Sequence, residues 1–193
     1  AEIILSEETV VSEKILIEQC SPTLAAIKTG SMFLYPYASI GEMRAAVRGW
    51  NKRLREKGLR VLPLRYNGRN ALIYIYRPYM LLRDLQNKTA YSILKKQGYG
   101  MRTPEGCIAQ LARRMSTNSE FPHEVGLFLG YPPDDVNGFI ENKGGKCKCV
   151  GCWKVYTDAD SAGKTFAKYK KCTSAYKEQF AKGQTIERLT VAD

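Results

Sequence analysis

A hairpin signature constrains the fold more than any other feature of the sequence. The segment LRVLPLRYNGRNALIYIYRP places Asn67 and Gly68 between two apolar runs. An Asn-Gly pair readily adopts the positive φ angles of a tight turn, so the two runs are predicted to be adjacent antiparallel strands. The second run, ALIYIY, is apolar at every position, which is typical of a strand inside a sheet that is covered on both faces.

Helix and strand patterns surround this hairpin. Ser39 begins the clearest predicted helix, and Gly58 ends it. Its apolar stripe consists of Met43, Val47, Trp50 and Leu54. Other helices are predicted from Ser6 to about Gln19, from Ser21-Pro22 to Gly30, over 78–97, over 104–116, in PPDDVNGFIEN and after a cap at Asp158. Further strands are predicted in SMFLY, EVGLFLG and WKVYT.

The alternation of these elements predicts the fold class. We expect a mixed α/β (α+β) fold with a single sheet of about four or five strands, one antiparallel hairpin within it, and flanking helices. A chain of 193 residues suits one domain, which we expect to span residues 1–193. We find no internal repeat and no long low-complexity linker in the sequence.

Several function classes lack the sequence features that they need. No apolar run approaches the roughly 20 residues of a membrane span. The N-terminal segment AEIILSEETVVSEK has neither the basic segment nor the long apolar segment of a signal peptide, so we expect a cytoplasmic location. SAGKTF is not a phosphate-binding loop, because Asp158 occupies the position of the required first glycine.

The chain is strongly basic. Its 30 lysines and arginines outnumber 19 aspartates and glutamates, which gives a formal net charge of +11. This charge permits attraction to nucleic acid, to an anionic membrane surface or to an acidic protein. The candidate contact residues are Arg44, Arg48, Lys52 and Arg55 on one helix face and Lys164, Lys168, Lys170, Lys171 and Lys177 nearer the C-terminus. Nucleic-acid modules usually add a recognisable fold signature or aromatic platforms, and their absence from the sequence favours a solvated helix face.

The segment KGGKCKCVGCWKVY crowds three cysteines together. Cys147, Cys149 and Cys152 have the short spacing with which thiolates bind zinc or iron, including the iron of an iron–sulfur cluster. The neighbouring lysines favour the thiolate form. A fourth ligand would have to be Cys172, His123, a carboxylate or an exogenous group. A loop of unengaged thiols is the alternative, and a thioredoxin-like motif is excluded because a strand is predicted to follow.

A second candidate site pairs Cys20 with His123. Cys20 precedes the predicted helix start at Ser21-Pro22, where exposed N–H groups would favour a nucleophilic thiolate. His123 is the only histidine and would act as the base, oriented by Asn142 or Glu141. The alternative is a small buried cysteine and a histidine that is satisfied at a strand end. Cys107 and Cys172 are predicted to be core residues.

Four segments carry a resemblance to a known family. CSPTLAAIKTGSMF, YIYRPYMLLRDL, FPHEVGLFLGYPPDDVNGFIENKG and GCWKVYTDADSAGKTFAKYKKC resemble an uncharacterised bacterial domain-of-unknown-function family found mainly in anaerobic Gram-positive bacteria. The most distinctive parts are FPHE-GLFLGYP and WKVY. The resemblance implies no established reaction or ligand. It implies a gene neighbourhood with flavodoxin and ferrous-iron uptake genes, and therefore an acidic redox partner such as a flavodoxin.

Three functional hypotheses follow from these features. The leading one is a cysteine-cluster protein that binds a metal or takes part in redox chemistry through Cys147, Cys149 and Cys152. The second is an enzyme with Cys20 as nucleophile and His123 as base. The third is a basic, non-enzymatic module that binds nucleic acid or an acidic protein.

Overall fold

A three-stranded antiparallel sheet lies at the centre of the structure, a computed structural model that describes residues 7–100, 103–117 and 120–193. Its strands are β1 (Gly30–Pro36), β2 (Arg60–Asn67) and β3 (Asn70–Tyr76), in the order β1-β3-β2. The predicted hairpin is confirmed, with Asn67 opposite Asn70 and a positive φ of 55° at Gly68. β3 is the central strand, as its uniformly apolar sequence predicted.

Helices make up most of the remaining described chain. They are α1 (Glu7–Leu24), α2 (Ile40–Leu54), α3 (Pro78–Leu85), α4 (Lys88–Lys96), α5 (Pro104–Thr117), α6 (Val125–Phe128), α7 (Pro133–Glu141), α8 (Ala159–Ala181) and α9 (Ile186–Leu189). The predicted caps of α2 and α8 are confirmed, since Ser39 accepts a hydrogen bond from the Glu42 N–H and Asp158 accepts one from the Ser161 N–H. The predicted cap of α1, Ser6, lies outside the described residues.

The central sheet separates two apolar cores. Ala71, Ile73 and Ile75 of β3 face a core formed with α1, α2 and α9. Tyr74 and Tyr76 face the opposite core, formed with α3 to α7. Because successive side chains of a strand alternate between faces, one strand contributes to both cores. This helix–sheet–helix arrangement confirms the mixed α+β class.

The single sheet of four or five strands is not confirmed. The described residues form the three-stranded sheet and a separate small hairpin of β4 (Cys149–Val150) and β5 (Lys154–Val155). The predicted strand WKVYT is thus reduced to two residues. The predicted strand in EVGLFLG is wrong, because Val125–Phe128 forms the short helix α6. A strand and a short helix can both bury an apolar run of this length, so hydrophobic periodicity alone does not distinguish them.

The predicted helix start at Ser21-Pro22 is also wrong. α1 continues through Pro22 to Leu24, and the Ser21 hydroxyl donates back to the Ile17 carbonyl instead of capping a new helix. The chain then turns at Ala26, which has a positive φ of 55°. The helix predicted over 78–97 is divided in two, because the Asn87 side chain accepts hydrogen bonds from the first turn of α4.

A fully buried arginine joins the first core to the C-terminal segment. Arg77 donates its five N–H groups to five acceptors. These are the carbonyls of Thr23, Leu24, Lys57 and Val191, at 2.7–3.2 Å, and the carboxylate of Asp193. The guanidinium is therefore saturated, and it connects the end of α1 with the backbone at Lys57, after α2, and at Val191, near the C-terminus.

None of the helices in the described part of the chain has the length and apolar character that a membrane crossing requires.

Candidate functional site

Asp135 fixes the β4–β5 hairpin against α7. Its carboxylate accepts hydrogen bonds from the Trp153 indole at 2.7 Å, from the Thr157 hydroxyl at 2.8 Å, and from the backbone N–H groups of Tyr156 and Thr157 at 2.8 and 2.9 Å. Burial raises the pKa of Asp135, but these four hydrogen bonds outweigh burial and hold its pKa below the ordinary value. The position of Trp153 therefore depends on a carboxylate in the first turn of α7.

An open cleft of about 320 Å³ lies between α7 and this hairpin. We call it the aromatic cleft, because its walls include Phe121, His123, Tyr131, Phe139 and Trp153. The Tyr131 and Trp153 ring centroids are 5.0 Å apart, and so are those of His123 and Phe139. Phe166 of α8 packs behind Trp153 at a centroid distance of 4.5 Å. The rings are thus held in place by one another and by α8.

The rim of the aromatic cleft exposes apolar side chains to solvent. Phe121 is 46% exposed and Val150 is 68% exposed. Lys154 supplies a positive charge at the edge, where its ammonium donates to the Gly144 carbonyl at 2.7 Å and lies 5.7 Å from the Phe139 ring centroid. The cleft therefore combines an apolar interior with three polar side chains: Lys154, the exposed His123, and Asp135, whose carboxylate is occupied by its four hydrogen bonds.

A second cleft, of about 420 Å³, is basic. We call it the Lys28 cleft, and its lining includes Lys28, Cys152, Tyr169, Lys170 and Lys177. Lys28 is half-buried, and its ammonium lies 5.5 Å from the centroid of Tyr131. Burial lowers the pKa of Lys28, and the thiols of Cys20 and Cys152 partly oppose that shift.

The hairpin distributes the three clustered cysteines among different surroundings. Cys152 is exposed and lines the Lys28 cleft, whereas Cys149 lies in β4 opposite Val155. Cys147 comes before the hairpin and lies near Tyr156. Within residues 7–100, 103–117 and 120–193, no three His, Cys, Asp or Glu side chains form a group that could hold a metal ion. The geometry therefore does not support the predicted zinc or iron site.

Cys20 and His123 lie in different parts of the fold. Cys20 is fully buried inside α1, in the core with Leu16 and Leu24, and not at a helix start. Burial raises the pKa of the Cys20 thiol well above its ordinary value, although Lys28 opposes the shift. His123 lies in the aromatic cleft, edge-on to Phe139. The helix terminus that was expected to activate Cys20 is therefore absent.

The predicted orienting residues are engaged within α7. The Asn142 amide donates to the Gly138 carbonyl at 2.8 Å, and Glu141 accepts from the Asn137 amide at 2.8 Å. Among the remaining cysteines, Cys107 is buried and Cys172 is half-buried. The pairing of Cys20 with His123 stays a prediction, to which this geometry adds no contact.

We expect Cys152 to be alkylated by iodoacetamide at least about tenfold faster than Cys20 at neutral pH, because thiolate character and exposure control cysteine reactivity. Mass spectrometry of peptides after a brief reaction would measure both rates. Protein unfolded in guanidinium chloride is the control, in which the two cysteines should react at similar rates. Equal rates in the folded protein would contradict the burial of Cys20 and restore it as a candidate nucleophile.

A comparison with protein-family models matches residues 16–190 to the family described as "Protein of unknown function (DUF3793)". The chain belongs to this family. The DUF3793 match includes both cores, the aromatic cleft and the Lys28 cleft, and it confirms the resemblance to a domain-of-unknown-function family. No curated protein and no solved structure matches the chain.

Sequence reasoning missed the residues that organise this region of the DUF3793 domain. The sequence places Asp135 only within a predicted helix, PPDDVNGFIEN, and Trp153 only within a predicted strand, WKVYT. Lys28 is the one charged residue in the run TLAAIKTGSMFLY, and no motif assigns it a role. A lone charge within an apolar run is the signal that could have identified Lys28, because charged side chains are rarely buried unless they have a partner.

Proposed function

We propose that this DUF3793 protein binds a small planar aromatic molecule in the aromatic cleft. The observation that carries the proposal is the set of aromatic side chains around one open cavity: Phe121, His123, Tyr131, Phe139 and Trp153. Its volume of about 320 Å³ falls at the lower end of the roughly 300–1,000 Å³ that is typical of ligand pockets. A ligand with one or two fused rings suits a cavity of this size.

The energetics of aromatic surface support this class of ligand. A planar ring inserted beside Trp153 or Phe139 would gain about 0.5–1.5 kcal/mol per ring pair in addition to the gain from burying apolar area. It would also cover apolar surface at Phe121 and Val150, which is exposed in the structure. His123 and Lys154 are available at the edge to bind a polar substituent of the ring.

The wall of the cleft is firmly held, which favours binding. Asp135 orients Trp153 through its indole N–H, and Phe166 supports the opposite side of the same ring. A ligand would therefore lose little binding energy to ordering of the Trp153 side chain, because that side chain is already fixed. Neither the metal-binding nor the redox hypothesis has a comparable arrangement of described residues behind it.

Tryptophan fluorescence provides a direct test, because the chain has only two tryptophans. Trp50 is 3% exposed in the first core, so Trp50→Phe leaves Trp153 as the reporter. We expect bicyclic aromatic compounds to change the Trp153 emission at saturation, and their fully saturated counterparts to have little effect. Calorimetric titration of the unaltered protein would measure the same dissociation constants. Trp153→Phe in the unaltered protein should remove the response, and it serves if Trp50→Phe does not fold.

Phe139→Ala is expected to weaken binding of the aromatic compounds about tenfold, equivalent to ~1.4 kcal/mol, through the loss of one ring contact and its buried area. Leu34→Ala is the matched control, since Leu34 is 62% exposed on β1 and does not line the cleft. Equal affinity for aromatic and saturated compounds, or unchanged affinity in Phe139→Ala, would contradict the proposal.

A further inference from the structure

The ammonium group of Lys28 is partly buried and has no counter-charge among the described residues, which favours binding of an anion. In the described part of the chain it makes neither a hydrogen bond nor an ion pair, and it lies 5.5 Å from the centroid of the Tyr131 ring. Partial removal of an ammonium group from water is costly unless a counter-charge compensates it. Burial lowers the pKa of Lys28 accordingly. A bound anion would supply the missing counter-charge.

The residues around Lys28 add positive charge and hydrogen-bond donors. Lys170 and Lys177 are two helical turns apart on α8, and both line the Lys28 cleft. Tyr169 lines it too, and burial, with a smaller contribution from Cys152, raises the pKa of its hydroxyl to about 12. Like any tyrosine hydroxyl it is neutral at pH 7, where it can donate a hydrogen bond to an anion. Thr173 offers a further hydroxyl.

Carboxylates compete only weakly for these cations. Glu18 approaches Lys177 only to 4.0 Å, and water reaches both side chains, so this ion pair is weak. Asp84 lines a neighbouring cleft together with Lys28 and Tyr169, and its carboxylate is already bonded to the Thr29 hydroxyl and the Arg83 guanidinium. Neither carboxylate pairs with Lys28.

We infer that the Lys28 cleft binds the phosphoryl group of a small molecule, with Lys28, Lys170 and Lys177 as the cationic contacts and Tyr169 as a hydrogen-bond donor. A phosphoryl group carries the charge and the several acceptor oxygens that suit three ammonium groups. An open, concave cleft of about 420 Å³ is large enough for such a group, whereas nucleic acid needs an extended surface. This site is separate from the aromatic cleft and does not depend on the function proposed there.

Cys152 makes the inference testable, because its exposed thiol lies in the same cleft. Iodoacetate is an anion and iodoacetamide is neutral, and both alkylate a thiolate with release of iodide. A cationic cleft attracts the anionic reagent, so the ratio of the two rates at Cys152 reports the local charge. Tandem mass spectrometry of the peptide that contains Cys149 and Cys152 distinguishes the two thiols.

We expect Lys28→Gln to lower the iodoacetate-to-iodoacetamide rate ratio at Cys152 at least about threefold at low ionic strength. Lys170→Gln should lower it in the same direction, and it provides the test if Lys28→Gln does not fold. Lys164→Gln is the matched control, because Lys164 is exposed on α8 but does not line the cleft. The ratio should be unchanged in this variant.

Inorganic phosphate and glycerol phosphate should slow the alkylation of Cys152 by iodoacetamide in the unaltered protein, and should do so less in Lys28→Gln. Sodium chloride at matched ionic strength controls for screening. A rate ratio that is unchanged in both cleft variants, or equal protection by chloride and phosphate, would overturn the inference. Protection by an oligonucleotide without protection by either phosphate compound would also overturn it, in favour of nucleic acid.

Discussion

Arg77→Met is expected to lower the free energy of unfolding by about 2–4 kcal/mol, because it removes charge-assisted hydrogen bonds from several buried carbonyls. Arg77 is fully buried and donates to four backbone carbonyls as well as to Asp193. Methionine fills a similar volume but donates no hydrogen bond, so the carbonyls of Lys57 and Val191 lose their guanidinium donors. The carbonyls of Thr23 and Leu24 keep backbone N–H donors from Ala26 and Val191. Urea denaturation followed by circular dichroism would measure the change.

Two further variants serve as comparisons: one removes the charge that pairs with Arg77, and the other replaces an exposed arginine by methionine. Asp193→Asn should cost about 1 kcal/mol, because the Asp193 side chain is 35% exposed and Arg77 keeps its carbonyl acceptors. Arg48→Met, at an exposed position on α2, is the matched control and should change stability by less than about 0.5 kcal/mol. A loss below about 1 kcal/mol in Arg77→Met would show that backbone N–H groups and water satisfy these carbonyls without the guanidinium.

The predictable parts of the fold are those that depend on a few neighbouring residues. The turn at Gly68 and the caps Ser39 and Asp158 are set by groups within about three positions, so short sequence patterns were sufficient to place them. α6 was not predictable in this way. Its Phe128 carbonyl accepts a hydrogen bond from the Tyr74 hydroxyl, 54 residues away in the sequence. A pattern of neighbouring residues cannot reveal a contact between such distant positions.

The candidate sites were harder to predict for the same reason. The spacing of Cys147, Cys149 and Cys152 suggested that three sulfurs converge, but the small hairpin places Cys152 in the Lys28 cleft and Cys149 in β4. Ser21 suggested a helix start because serine is a frequent cap, yet its hydroxyl bonds backward to Ile17. In both cases the residue types are compatible with the predicted role, but contacts with the surrounding chain give these residues a different one.

Asp135→Ala is the variant that we expect to affect both stability and ligand binding. The substitution leaves the Trp153 indole and the N–H groups of Tyr156 and Thr157 without their acceptor. Because these donors are only partly buried and water can reach some of them, we expect a loss of about 2–4 kcal/mol in unfolding free energy. Trp153 should become more mobile, with altered emission and weaker binding of aromatic compounds. Asp134→Ala, at the exposed neighbouring position, is the matched control.

The acid dependence of stability gives a second readout for the same carboxylate. Because the folded-state pKa of Asp135 lies below its ordinary value, the unfolded protein binds the proton more tightly than the folded protein does. The stabilisation from Asp135 is therefore fully present above about pH 4 and is lost as the pH falls through the folded-state value. Asp135→Asn should reduce the loss of stability over this acidic range, whereas Asp134→Asn should not. If the two variants show the same acid dependence, Asp135 does not anchor the hairpin as a carboxylate, and the support for a preformed aromatic cleft is lost with it.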